Sequence, residues 1–237
     1  MTDDPAVGTP WRTARVVEIR PETANAKTFR FALDSPEHHL AGQHYIVRLT
    51  APDGYTATRS YSVASAPDDS NEIELTVERL EGGEVSTFLH DELRLGDELE
   101  VRGPIGGWFV WEGRTPAILV GGGSGLVPLM AMLRLARRLQ HPERVRLVVS
   151  VRTPDDLYYA DELVGPEATV AYSRRSPADS ARPAGRLSRY DLAPALPTDA
   201  TAYVCGSSGF ADAASQLLLE VGQPVEQIRV ERFGPTG

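Results

Sequence analysis

A chain of 237 residues, 41% hydrophobic and 24% charged, can build one large domain or two ordinary ones with a sizeable core, and is not a disordered chain. Its net charge of −9 argues against nucleic-acid binding. No apolar run approaches the roughly 20 residues of a membrane span, and the acidic start Met1-Thr2-Asp3-Asp4-Pro5 is unlike a secretory leader. A cytoplasmic protein without membrane insertion is therefore expected. The lone Cys205 excludes an intrachain disulfide or an iron–sulfur cluster held by this chain alone, which needs about four thiolates. The five histidines form no zinc-type pair at helical spacing, so no metal is expected, and His38-His39 reads as a surface loop pair. The charge is unevenly spread: residues 1–112 carry 10 basic and 20 acidic side chains, residues 113–237 carry 14 and 13. Solvated surface accounts for this, or a second half that handles a phosphorylated anion.

In chain order, Thr13–Arg20, Thr28–Leu33, His44–Leu49, Arg59–Ser65 and Glu72–Leu80 read as strands separated by turn signals such as Asp34-Ser35-Pro36 and Pro52-Asp53-Gly54. Short strands at this spacing predict an antiparallel barrel or sandwich. A helix N-capped by Ser86 or Thr87 runs to Leu93, and a strand Glu98–Arg102 enters the turn Gly103-Pro104-Ile105-Gly106-Gly107. The pattern changes over Trp111–Pro116, which divides the chain into domains 1–112 and 113–237. Beyond it, strands Ala117–Val120, Val145–Val151, Thr169–Ser173, Thr201–Cys205 and Gln227–Glu231 alternate with helices Val127–Leu139 and Ala211–Val221. Such alternation predicts a parallel sheet covered on both faces, and Ser176–Ala184 reads as a loop.

Four segments carry potential chemistry. Gly121-Gly122-Gly123-Ser124-Gly125 joins a strand to a helix, where glycine lets backbone approach a pyrophosphate beside a helix N-terminus. It lacks the third glycine of the dinucleotide fingerprint, and a ligand-free tight turn fits it too. In Arg59-Ser60-Tyr61-Ser62 the arginine and tyrosine share one side of a strand. The guanidinium suits a diphosphate, the ring suits a flat aromatic group, and the serine offers a donor. Taken alone, the tetrapeptide fits an ordinary strand better. Gly83-Glu84-Val85-Ser86-Thr87 is a second helix start able to meet an anion, and Gly103–Gly107 by itself is a turn.

Together and in order, Arg59–Ser62, Gly83–Thr87, Gly103-Pro-Ile-Gly106, Gly121–Gly125 with Pro128, Cys205-Gly206 and Glu231-Arg-Phe233 resemble the ferredoxin–NADP⁺ reductase superfamily of flavoproteins. The likeness spans nearly the whole chain and is greatest to compact bacterial members without a fused iron–sulfur or globin domain. It implies an antiparallel β-barrel that binds FAD, followed by an α/β Rossmann-like domain that binds the nicotinamide nucleotide. It also implies that Arg59 holds the FAD diphosphate, Tyr61 packs on the isoalloxazine and Ser62 bonds near flavin N5, with Ser60 between them. Gly83, Val85, Ser86 and Thr87 would cradle the diphosphate. Gly121, Gly122, Gly123, Ser124 and Gly125 would approach the second nucleotide. Cys205 and Gly206 would border its nicotinamide, Glu231 would join that polar cluster, and Phe233 would cover the flavin. Ser62, Cys205 and Glu231 are thus the expected catalytic set, Cys205 acting by position, although a plain buried thiol also fits it. Ser207 stands where many relatives carry proline, and the chain continues past Phe233 with Gly234–Gly237.

By the same resemblance Arg152, Ser173, Arg174 and Arg186 would grip a 2′-phosphate, favouring NADPH over NADH, although NADH-using relatives often carry arginines at similar places. The implied function is hydride transfer from NADPH to FAD, then electron transfer to a separate ferredoxin, flavodoxin, oxygenase component or molybdenum enzyme by a monomeric reductase. Reduction of free flavin or a quinone is an alternative, as is a non-catalytic flavin-binding redox sensor.

Overall fold

The computed structural model describes residues 9–35, 38–192 and 199–233. The acidic start Met1–Pro5, Pro36 of the first predicted turn and the tail Gly234–Gly237 lie outside the described residues.

The first half forms six antiparallel strands: β1 (Arg12–Thr23), β2 (Ala26–Leu33), β3 (His44–Thr50), β4 (Thr56–Ser62), β5 (Glu72–Glu78) and β6 (Glu98–Ile105). Their order is β4-β3-β6-β1-β2-β5. Alternation drives the pairing, since Leu99, Val101, Gly103 and Ile105 of β6 are all buried with intermediate residues between them. The two edge strands meet through the bridge Val63–Leu75 and the bond from Ala64 N–H to Glu74 O at 2.8 Å. That contact removes exposed edges and closes the sheet into a barrel. Helix α1 (Glu84–Asp91) lies beside β4 and β5, and Val85 and Leu89 enter the barrel core with Phe29, Phe31, Tyr45, Val47 and Ile73.

The second half is a parallel sheet of β7 (Ala117–Gly122), β8 (Val145–Val151), β9 (Ala168–Tyr172), β10 (Thr201–Ser207) and β11 (Ile228–Phe233), ordered β11-β10-β7-β8-β9. Helix α2 (Leu126–Arg138) covers one face with Leu119, Leu147 and Val149. Helix α4 (Ser208–Glu220) covers the other with Ile118, Val148 and Val204. A short helix α3 (Arg189–Leu192) was not expected. The α2 core also takes in Ala26, Ala41, Ala64 and Trp111 from the first half, and Tyr203 Oη donates to Val110 O at 2.8 Å. The two sheets are packed together.

Several local readings change. Strand β4 spans Thr56–Ser62 rather than Arg59–Ser65, because Val63 and Ala64 leave β3 to meet β5. Strand β6 continues through Gly103-Pro104-Ile105, with a cis peptide before Pro104. Helix α1 starts three residues before the position expected from a serine cap. Gly83 is its N-cap, and Ser86 lies inside the helix, its Oγ donating to Gly83 O and accepting from Leu80 N–H, both at 3.2 Å. Helix α4 starts at Ser208, capped by Ser207, whose Oγ accepts from Phe210 N–H. His39 is not on the surface; it is 3% exposed, with Nε2 3.1 Å from Ser65 O.

Candidate active site

Antiparallel pairing places Val47 opposite Arg59, Tyr45 opposite Tyr61 and His44 opposite Ser62. Ala57, Arg59 and Tyr61 therefore share one face of β4, and Tyr61 packs against the barrel core. Burial pushes the Tyr61 phenol up to about 12, with the Arg59 charge acting in the opposite sense. Arg59 is partly exposed and has no carboxylate partner among the described residues; its Nη1 donates to Thr58 O at 2.7 Å. Ser60 is exposed on the other face. Ser62 is 5% exposed, and its buried Oγ has no hydrogen-bond partner among the described residues. An orphaned buried hydroxyl costs about 1–3 kcal/mol, so this atom suits a ligand bearing hydrogen-bonding groups.

Helix α1 begins beside the start of β4, where Tyr55 Oη donates to Glu84 Oε2 at 3.2 Å. The first-turn amides of a helix lack intrahelical acceptors and favour anions. Val85 and Ser86 are buried, while Thr87 is half-buried. A Cβ on Gly83 would stand 2.5 Å from Ser86 Oγ. A side chain at this N-cap would therefore displace the Ser86 hydroxyl.

On the parallel sheet, Gly121 of β7 pairs with Cys205 of β10, which pairs in turn with Glu231 of β11. These residues sit at the carboxyl ends of the strands where β7 separates β8 from β10, the switch point at which open α/β sheets take ligands. Gly122 ends β7, and Gly123-Ser124-Gly125 form a 3-10 turn that leads into α2. Gly125 is placed by close approach: a Cβ there would lie 2.1 Å from Cys205 O. Gly206 takes a positive φ, and a Cβ on it would meet the Phe210 ring at 2.7 Å. Cys205 is fully buried; burial, and then Glu231, raise its thiol well above the usual range. A neutral thiol is a poor nucleophile. Burial also pushes the Glu231 carboxyl up to about 7. Phe233 pairs with Ser207 and packs, half-buried, against the α2 core.

At the far end of the sheet, Ser173 N–H donates to Val151 O at 2.8 Å and Arg174 N–H to Arg152 O at 2.9 Å. Arg152, Ser173 and Arg174 are thus adjacent, whereas Arg186 is exposed just past Gly185, whose N–H bonds Tyr172 O. Neighbouring arginines are committed: Arg175 pairs with Asp155 and Arg182 with Asp191. Arg152, Arg174 and Arg186 have no carboxylate partner among the described residues. No hydrogen bond among the described residues joins Arg59–Ser62 directly to Gly121–Gly125 or Cys205. One hydrogen bond from α2 to the strand exit beyond Ser62 runs from Arg134 to Ala64, residues that sequence reasoning did not single out, since nothing local distinguishes Arg134 from the other arginines of α2.

Residues 13–110 match the family model of an oxidoreductase FAD-binding domain, and residues 119–216 match that of an oxidoreductase NAD-binding domain. Among curated proteins, the chain is 28% identical to the propane 2-monooxygenase reductase component of Rhodococcus jostii, over 92% of this chain and 62% of that one. It is 34% identical to a Pseudomonas putida flavohemoprotein, over 94% and 59%. It therefore spans about three fifths of the length of these relatives. Among solved structures, the FAD/NAD-binding domain of a Vibrio cholerae nitric oxide dioxygenase superposes with a TM-score of 0.83 at 26% identity, over 94% of this chain and 99% of that one. Amycolatopsis cytochrome P450 reductase GcoB gives 0.79 at 26% identity, over 97% and 71%.

Proposed function

The chain belongs to the ferredoxin–NADP⁺ reductase superfamily of FAD- and NAD-binding flavoproteins, and on that premise we propose that it moves hydride from NADPH to FAD and passes electrons to a separate redox protein. Residues 1–112 are the FAD-binding domain in this proposal, and 113–237 the nucleotide-binding domain. The observation that carries it is the buried Ser62 Oγ, which has no hydrogen-bond partner among the described residues, on the same strand as Arg59, which has no carboxylate partner among them. Bound FAD would supply the two-electron acceptor and one-electron outlet that no side chain of this protein provides. Arg59 and the amides of Val85, Ser86 and Thr87 would hold its diphosphate. Tyr61 would pack on the ring, Ser60 would flank it, and Ser62 would bond at the N5 edge. Gly121–Gly125 would admit the second diphosphate, while Cys205, Gly206 and Glu231 would wall the nicotinamide and exclude water. Phe233 would shield the flavin face from β11.

Arg152, Ser173, Arg174 and Arg186 would bind the 2′-phosphate. The three arginines have no carboxylate partner among the described residues, whereas Arg175 and Arg182 are paired, which favours NADPH over NADH. The electron acceptor is a ferredoxin, flavodoxin, oxygenase component or molybdenum enzyme. The relatives support this reading: they include the ferredoxin–NAD(P)⁺ reductase component of Ralstonia naphthalene 1,2-dioxygenase/salicylate 5-hydroxylase systems. A monomer in the cytoplasm completes the proposal; among the described residues no helix is long and apolar enough to cross a membrane. The test is direct. Protein reconstituted with FAD should be yellow, and rapid mixing should bleach it faster with NADPH than with NADH. Failure to take up FAD overturns the reading, and rapid turnover of free flavin or quinone without a partner protein removes the partner from it.

A further inference from the structure

Where α2 meets the barrel lies a largely buried polar cluster that the proposed chemistry does not use. Arg134, on α2, has a side chain only 15% exposed. Its Nη1 donates to Ala64 O at 2.9 Å and to Glu74 Oε2 at 2.8 Å, both in the barrel. Its Nε and Nη2 grip Glu162 as a fork, Nε at 2.9 Å, and its guanidinium lies 4.9 Å over the Tyr159 ring. Despite burial, Arg134 holds the Glu162 carboxyl below its ordinary range. Tyr159 is itself plugged into the barrel: its N–H donates to Glu22 Oε2 at 3.0 Å, and its hydroxyl donates to Thr76. Thr28 Oγ1 closes the ring, 2.7 Å from Thr76 Oγ1 and donating to Glu22 at 2.6 Å. Tyr159 adopts φ +54, a left-handed backbone that a non-glycine residue keeps only where its surroundings over-determine it.

The partners' positions give the cluster its meaning. Helix α2 starts at the glycine turn, and Arg134 stands eight residues beyond Leu126, about 12 Å along the axis. Ala64 is two residues past Ser62, and its N–H is fixed by Glu74 O. The segment carrying Tyr159 and Glu162 leads on from Arg152. One guanidinium therefore joins α2, the helix that begins at the glycine turn, to the segment after β8 and to the exit of the flavin strand. A buried ion pair is a poor way to gain stability over apolar packing, but it fixes direction and separation.

We propose that Arg134 is a positioning residue: it holds the glycine-turn helix against the strand leaving Ser62 and so sets the separation at which nicotinamide and flavin meet. This rests on the function proposed above. It does not alter the cofactor contacts themselves, because Arg134 touches neither half-site. Disturbing it lowers the hydride-transfer rate while leaving each cofactor's affinity in place.

The experiment compares FAD-reconstituted wild type with Arg134→Lys, which keeps the charge but loses the fork, and Glu162→Gln, which loosens the fork that aims Arg134 Nη1 at Ala64 and Glu74. FAD affinity, NADP⁺ affinity, the rate of flavin bleaching by NADPH, its primary deuterium isotope effect and the long-wavelength charge-transfer absorbance are read together. Both affinities are expected to stay within about threefold of wild type. The bleaching rate should fall at least tenfold, with weaker charge-transfer absorbance and an altered isotope effect. An unchanged rate and absorbance in either folded variant overturns the proposal. So does a rate loss matched by equal losses of cofactor affinity, which marks a merely structural role. If Arg134→Lys does not fold, Glu162→Gln alone decides. Wild type that binds no FAD sinks the parent reading instead, a separate outcome.

Discussion

Glu231→Gln isolates the most strongly perturbed carboxyl of the candidate site. Burial raises Glu231 from 4.5 to about 7, so between those values the folded chain holds a proton that the unfolded chain has released. Stability from this group is therefore fully present below about pH 4.5 and is lost as pH rises through 7. The displacement corresponds to about 3 kcal/mol at most, at 1.36 kcal/mol for each tenfold change in proton affinity. Glutamine mimics the protonated form and carries no such penalty. Urea unfolding of wild type and Glu231→Gln, measured at half-unit steps from pH 4.5 to 8, should give stabilities that agree at the acid end. Above pH 7 the variant should be more stable by about 3 kcal/mol. Parallel curves across the whole range would refute the reasoning, because they would mean that Glu231 ionises in the fold as easily as in the unfolded chain.

Ser62→Ala removes a buried hydroxyl that has no hydrogen-bond partner among the described residues, so urea stability should not fall, whereas flavin bleaching by NADPH should slow by roughly 10- to 100-fold. Gly125→Ala drives a methyl to within 2.1 Å of Cys205 O; calorimetry or urea unfolding should show a loss of about 1–3 kcal/mol, with weaker NADP⁺ binding as the turn shifts. Arg174→Ala should raise the KM for NADPH by roughly 10- to 100-fold, the worth of one charge-assisted contact, and leave that for NADH nearly unchanged; equal effects on both would remove the 2′-phosphate assignment.

Local rules were enough to determine the classes of structure in this protein. Alternation along β2 and β6 marks antiparallel strands, apolar runs followed by glycine and then helical spacing mark the parallel sheet, and Pro- and Ser-rich Ser176–Ala184 marks a loop. The periods of side-chain direction act over a few residues, so one strand or helix contains the whole signal. Order along the chain likewise made Arg59–Ser62 and Cys205-Gly206 worth pairing as candidates.

What tertiary structure decided is everything that depends on a distant backbone. Strand β4 ends at Ser62 because β5 captures Val63 and Ala64. Helix α1 starts at Gly83 because Ser86 turns inward to Leu80 and Gly83 instead of capping. His39, hydrophilic in sequence, is buried against Ser65 O. Cys205 and Glu231 are 26 residues apart in sequence, and only parallel pairing brings them into one register with Gly121. Arg134 had no distinguishing neighbour in the chain, since its partners Ala64 and Glu74 come from the barrel half and Glu162 from the segment between β8 and β9. Residue types and spacing carry short-range geometry, but burial and long-range hydrogen bonding arise only when the sheets meet, and these decide which residues share a site.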